Sequence, residues 1–420
     1  MSDAKIKAPR GTFDVLGEQV PARLGIEMRA RAILGGAGYE RIETPTFEAT
    51  ELFARGVGAS TDIVSKEMFT FEDAGGRSLT LRPEGTAPVC RAYIEHGMHK
   101  RRQPVKLWYL SSFFRHERAQ AGRYRQFWQV GAEAIGSEDP ALDAELIVLL
   151  ERLLEEVGVR GLRLRLSSLG SPETRSDYRE RLQAHLRAHE SELSEEVAGR
   201  IELNPLRAFD TDHPGTRSVM ESAPLLIDHL DRADLEHFAE LRELLDEANV
   251  TYELDPTLVR GLDYYTRTVF EFTSDALGAQ SGVAGGGRYD RLVAQLGGPS
   301  TPGMGWAAGI ERILLAGEPS PAAPAPLELF IALDGDQRDL RRSAFGLLNE
   351  ARAAGLAAQM ELGGRSLKGQ LGQASALGAR FVAVLSAGGE TVLKDTQAGE
   401  QQTLPTTTVL HAVLRSHHAL

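Results

Sequence analysis

Four arginines fall within the eleven residues RHERAQAGRYR: Arg115, Arg118, Arg123 and Arg125, interleaved with His116, Glu117 and Tyr124. Guanidinium groups stay charged at any working pH and offer paired N–H donors, so the chemistry this run could do is to bind and polarise phosphate. The same run also reads as a solvated hairpin tip with incidental arginines. Alternating strands flank it. On the first, period two puts Tyr109, Ser111, Phe113 and Arg115 on one face; on the second it puts Gln129, Gly131 and Glu133 on one face. An amide, a glycine and a carboxylate in line form a surface that a small polar ligand can approach closely.

Other clusters could act beside it. Arg82-Pro83-Glu84-Gly85-Thr86 presents a carboxylate and a hydroxyl where a strand ends, which suits an ammonium group; Thr86 could equally cap the helix expected from Pro88 onward. Arg260-Gly261-Leu262-Asp263-Tyr264-Tyr265 joins a cation to two flat phenol rings suited to walling a small aromatic ring, or the tyrosines are ordinary strand residues. The glycine run 282–290 reads as a chain bend where backbone passes close to something. His185 and His189 stand four apart on a helix, but no third ligand is evident and they read as a solvated face. Residues 303–312, with their glycines, read as opening a helix. They lack the acidic residue about twenty positions on that a dinucleotide fingerprint needs.

The elements that must position these residues alternate along 420 residues, enough for two or three domains. Helices are expected at 20–37, apolar at Leu24, Met28, Ile33 and Leu34, and at 139–157; strands at 39–45, ending at Pro45 on a sheet edge, at 69–71, 78–81 and 162–166. From 171 to 253 the composition turns charged, helical and poor in glycine, as for an inserted helical module opened by Ser171-Pro172. A proline-rich linker at 319–326 separates residues 1–318 from a β/α-alternating tail at 327–420. A net charge of −12 argues against indiscriminate adhesion to nucleic acid or anionic membrane, though a local basic groove is compatible with it. With Cys90 the only cysteine there is no intramolecular disulfide and no cysteine-based zinc site, so a cytoplasmic protein is expected; no apolar run reaches membrane-spanning length.

These residues resemble the histidyl-tRNA synthetase family, within class II of the aminoacyl-tRNA synthetases. The edge strand ending at Pro45 is similar to motif 1, Phe114-Arg115-His116-Glu117 through Glu133 to motif 2, and Gly309-Ile310-Glu311-Arg312 to motif 3. The runs 258–265 and 286–290 look like the two signature peptides of the histidine enzyme. The resemblance implies an α+β catalytic domain with an antiparallel sheet flanked by helices, a helical insertion, and a C-terminal α/β anticodon-binding domain. It implies activation of L-histidine by ATP and transfer to tRNA(His), by a homodimer with motif 1 at its interface.

It further implies that Arg115, Arg260 and Arg312 are catalytic, and that they bind ATP together with Glu117 and Arg123. Magnesium would come with ATP through Glu117, with no structural metal. Histidine would be bound by Glu84, Thr86, Gln129, Glu133, Tyr264, Tyr265 and Tyr289, and the tRNA acceptor end met by Arg118, Arg123 and Arg125. A competing reading is the non-catalytic paralogue that serves as a regulatory subunit of ATP phosphoribosyltransferase. It typically lacks an anticodon-binding tail and tends to lose the ATP-contacting arginines. A pseudo-synthetase sensor of uncharged tRNA usually accompanies a kinase domain, which is not encoded here.

Overall fold

The computed structural model describes residues 5–58, 61–117, 122–258, 262–278, 281–318 and 326–417. The chain divides into two units, residues 1–322 and 323–420.

In the first unit the strands are β1 (Glu40–Arg41), β2 (Phe47–Ala49), β3 (Phe69–Glu72), β4 (Ser78–Leu81), β5 (Val105–Phe114), β6 (Gln126–Ile135), β7 (Leu162–Ser168), β8 (Tyr252–Leu254), β9 (Thr266–Ser274), β10 (Gly282–Arg288) and β11 (Gly303–Gly309). Eight of them form one sheet in the order β1-β5-β6-β11-β10-β9-β7-β8, while β2, β4 and β3 form a small one. Within the large sheet only the edge pairs β1/β5 and β7/β8 are parallel. The strand expected at 39–45 shortens to Glu40–Arg41, at the edge as anticipated.

The alternation of β5 and β6 divides the sheet into a packing face and a working face. Trp108, Val130, Ala132 and Ala134 belong to a core shared with the helices Gln19–Gly36, Pro140–Glu156 and Arg232–Glu247. The opposite face carries Tyr109 and Phe113, joined in a second core by Tyr264, Tyr265 and Tyr289 and by the helices Thr86–Glu95 and Pro172–Ala188. Register pairs Ser111 with Gln129, Tyr109 with Gly131 and Leu107 with Glu133, so the residues grouped on one face by their spacing do share it.

Several expectations change. In the helix Gln19–Gly36 the buried stripe runs through Ile26, Ala30, Ile33 and Leu34, leaving Leu24 and Met28 48% and 63% exposed, because positions 24 and 28 lie on the opposite side of the turn. The glycine run at 282–288 is no bend but strand β10 at the middle of the sheet. The close approach holds: a Cβ on Gly286 would lie 2.1 Å from the carbonyl oxygen of Gly305. The glycines at 303–309 likewise form strand β11, and the helix begins only at Ile310. The stretch 171–253 ends within the sheet unit: Phe238, Leu241 and Leu245 pack in the core beside the Pro140–Glu156 helix, and β8 pairs with β7. His185 and His189 are half-buried rather than solvated, with His185 Nε2 3.0 Å from the Val219 carbonyl and His189 Nδ1 3.0 Å from the His185 carbonyl.

The second unit has strands β12 (Leu329–Asp334), β13 (Ala358–Met360), β14 (Phe381–Ser386), β15 (Glu390–Asp395) and β16 (Gln401–Pro405), in the order β13-β12-β14-β15-β16. The first three run parallel, with helices Arg338–Ala353 and Leu367–Ala376 between them, as the β/α alternation predicts. The antiparallel additions β15 and β16 and the helix Val409–His417 were not legible in the periodicity. The linker expected at 319–326 lies, except for Pro326, outside the described residues.

Candidate active site

Glu133 sits at the closed end of the working face with no exposed surface. Its Oε1 accepts from the Thr86 hydroxyl at 2.8 Å and the Tyr109 hydroxyl at 3.4 Å, and its Oε2 from the Tyr289 hydroxyl at 2.7 Å. These three partners are all neutral. Burial pushes the carboxyl up to about 8, against the opposing pull of the Tyr289 and Thr86 hydroxyls. The adjoining strand must lack a side chain for this to fit: a Cβ on Gly305 would stand 1.7 Å from Glu133 Oε2. Gly131 serves in the same way, since its Cβ would strike the Tyr109 ring at 2.3 Å.

Glu84 is also buried. Its carboxylate accepts from the backbone N–H of Thr86 at 2.8 Å and of Ala87 at 2.9 Å, so Glu84 caps the Thr86–Glu95 helix. Of the two uses open to Thr86, the structure shows its hydroxyl directed to Glu133, with Gly85 at the cap position of the helix. The Tyr264 hydroxyl donates to Glu84 Oε2 at 3.4 Å, and the Tyr264 ring lies 4.8 Å from that of Tyr265 and 5.9 Å from that of Tyr289. Tyr264 and Tyr265 precede β9 in a turn and are not strand residues. The structure thus brings Glu84, Thr86, Glu133, Tyr264, Tyr265 and Tyr289 into one enclosed, tyrosine-walled group.

Toward the open end lies a cleft of ≈ 620 Å³, lined by Arg115, Arg123, Gln129 and Arg312 and by the backbone of β10. Gln129 Oε1 is buried there without a hydrogen-bond partner among the described residues. Arg115 donates from Nε to the Pro83 carbonyl at 2.9 Å and stacks on the Phe127 ring at 5.4 Å. Glu117 lies between two cations, 3.8 Å from Arg115 and 3.5 Å from Arg123. Arg312 donates from Nε to the Gly282 carbonyl. Burial lowers its pKa, and Arg123 lowers it further.

Arg125 is half-buried, its side chain against Gly11 and its backbone N–H donating to the Gly11 carbonyl at 2.8 Å. Arg118 and Arg260 lie outside the described residues.

Three features escaped the sequence. Arg165, Asp210 and Glu271 form another wall of the cleft, and Arg165 pairs with Glu271 at 3.2 Å; they lie far apart in the chain, so no local pattern joined them. Glu311, inside the Gly309–Arg312 run, is buried and bridges Arg23 at 2.7 Å and the backbone N–H of Trp128 at 3.0 Å, tying the helix at Ile310 to β6. Arg288 is a fully buried ion-pair partner of Asp143 at 2.7 Å.

A helix-flanked antiparallel sheet with arginines at one end of its working face and a polar, enclosed pocket at the other is the catalytic unit of a class II aminoacyl-tRNA synthetase. Comparison with known proteins narrows the class. A family model described as histidyl-tRNA synthetase matches residues 11–313. The histidine–tRNA ligase of Desulforamulus reducens is 47% identical over 402 residues, covering 94% of this chain and 95% of that one. The histidine–tRNA ligase of Streptomyces coelicolor is 48% identical over 408 residues, covering 95% of each. The apo crystal structure of Staphylococcus aureus histidyl-tRNA synthetase superposes with a TM-score of 0.80 at 36% identity, covering 97% of this chain and 100% of that one. The chain belongs to the histidyl-tRNA synthetase family.

Proposed function

We propose that this protein is a histidine–tRNA ligase: it activates L-histidine with ATP and transfers it to tRNA(His). The observation that carries the assignment of the pocket is Glu133, a buried carboxylate among hydroxyls. An imidazole N–H supplies the polar partner that an apolar side chain of similar size lacks, and leaving such a group unpaired is costly enough to make the choice stringent. Tyr265 reads the second ring nitrogen, with Tyr264 and Tyr289 as walls. Glu84, Thr86 and the Gln129 carbonyl oxygen receive the α-ammonium group.

In the reaction a histidine carboxylate oxygen attacks the α-phosphorus of ATP, the bond to the β-phosphate oxygen breaks, and pyrophosphate leaves. A terminal ribose hydroxyl of tRNA then attacks the acyl carbon, and AMP leaves. Such displacement needs positioning and positive charge more than a protein base. Arg115 holds the α-phosphate, Arg312 the γ-phosphate and Arg123 the neighbouring oxygens, while Arg260 neutralises the opposite side of the reacting centre. Magnesium accompanying ATP needs one or two carboxylates with phosphate and water completing its shell. Glu117, beside the phosphate-binding arginines, and Glu271 on another wall fit that donor set.

Arg118, Arg123 and Arg125 meet the acceptor end, and the tail unit reads the anticodon. Exposed Val20, Leu24, Met28 and Phe47, in or beside the motif 1 region, favour a homodimer, checked by light scattering. No described helix is long and apolar enough to cross a membrane. Cytoplasmic residence is proposed on the single buried cysteine.

The test is amino-acid-dependent exchange of pyrophosphate into ATP with each standard amino acid. Exchange with histidine alone is expected. Folded protein that binds histidine without exchange would favour the regulatory paralogue. Against that paralogue stand the 47–48% identity to ligases over nearly the whole chain and the presence of Arg115, Arg260 and Arg312.

A further inference from the structure

The turn that carries Tyr264 and Tyr265 is gripped from outside the pocket. Arg175, on the helix Pro172–Ala188, donates from one guanidinium nitrogen to the Asp263 carbonyl at 3.5 Å and to the Tyr265 carbonyl, the two residues on either side of Tyr264. Asn204 donates to the Asp263 carboxylate at 3.4 Å, and the Asp263 N–H donates to the Val57 carbonyl at 3.3 Å. Two residues further along, Arg267 adopts a positive φ of 43° and donates to buried Asp234 at 3.0 Å. Asp234 also accepts from Ser171 N–H at 2.6 Å and from the Thr174 hydroxyl at 3.2 Å, at the start of the same helix. The helix is therefore anchored to the turn at both ends of the tyrosine pair. A carbonyl clamp of this kind fixes backbone and so sets where each ring enters the pocket.

We infer that Arg175 is a positioning residue for amino-acid recognition, holding the Tyr264–Tyr265 turn in its histidine-binding geometry. The inference rests on the proposed histidine pocket. The guanidinium plane is rigid and holds the nitrogen that meets both carbonyls in place, whereas a lysine ammonium on its flexible stem reproduces the charge without that fixed placement. An opening of ≈ 350 Å³ adjoins Arg175, lined by Pro172, Ser176, Arg179, Asn204 and Asp263 among others, and is large enough to admit a free guanidinium ion.

The experiment uses the full-length chain in pyrophosphate exchange, with histidine and ATP varied separately. Arg175→Ala is expected to raise KM for histidine about tenfold or more, the size of one lost charge-assisted hydrogen bond, with KM for ATP changed less than about twofold. Guanidinium at about 20 mM, far below denaturing concentration, is expected to recover part of that loss in Arg175→Ala and none in wild type. Arg175→Lys should show the same split in weaker form, and it decides the matter if Arg175→Ala does not fold. An unchanged KM for histidine alongside a lowered Tm, or equal rises in both KM values, would reduce Arg175 to a structural staple and overturn the inference. Wild-type protein that neither binds histidine nor supports exchange would remove the proposed reaction and this inference with it, an outcome recognisable without any variant.

Discussion

Two of the buried carboxylates in the catalytic unit, Asp143 and Glu133, are opposites. Asp143 is paired with the Arg288 guanidinium at 2.7 Å, takes the Thr268 hydroxyl at 2.6 Å, and sits where Arg288 also donates to the Ser137 and Asp139 carbonyls. Burial raises it only to about 6 because the guanidinium opposes the desolvation. Glu133 is as deep but is met by the hydroxyls of Thr86, Tyr109 and Tyr289, and burial carries it to about 8. A buried charge satisfied by its own cation is scaffold. One satisfied only by neutral donors holds back capacity for a ligand.

Breaking the ion pair should give the largest effect. Asp143→Asn leaves buried Arg288 with Asp290, 3.3 Å away, as its remaining carboxylate partner, and should destabilise the fold by about 3 kcal/mol in urea unfolding, with histidine affinity of the folded fraction unchanged. Glu133→Gln should do the reverse, lowering kcat/KM for histidine about 100-fold, or about 2.7 kcal/mol, without loss of stability at pH 8. If Glu133→Gln unfolds the protein as Asp143→Asn does, the two sites are alike and the comparison falls.

The pH dependence sharpens it. Glu133 is raised from 4.5 to about 8, so between those values the native state holds a proton that the unfolded chain has released. Its stabilising contribution is complete below pH 4.5 and is lost as the pH climbs to about 8, at ~1.4 kcal/mol per unit for one group. Glu133→Gln should flatten that decline in unfolding curves taken from pH 5 to 9. The smallest effect belongs to Tyr289→Phe, which deletes the 2.7 Å bond to Glu133 Oε2; KM for histidine should rise about tenfold, checked by exchange kinetics.

Much of this site was legible before any fold was known. Period two placed Tyr109, Ser111, Gln129, Gly131 and Glu133 on one face because backbone geometry alone forces alternate side chains to opposite sides. The arginine run suggested phosphate binding or a solvated hairpin tip, and the structure places two of its members, Arg115 and Arg123, on the wall of the cleft. The glycines at 282–288 and 303–309 were misread as a bend and a helix: their need was for close packing between neighbouring strands, and a missing side chain looks the same in sequence whatever it makes room for. Thr86 was left open between two uses because a hydroxyl can serve either a helix end or a distant carboxylate, and only the fold shows it on Glu133.

What the sequence determined by itself was therefore local and periodic: which strands alternate, where the periodic helix near 139–157 lies, and which residue types could meet phosphate or an imidazole. What only the tertiary structure decided was pairing across long separations. Glu133 meets Thr86 and Tyr289, Asp143 meets Arg288, Glu311 meets Arg23, and Arg175 meets the tyrosine turn at separations of 47 to 288 residues. Burial turns such pairs from incidental neighbours into the determinants of charge, because removing water makes every carboxylate depend on the few donors the fold brings to it.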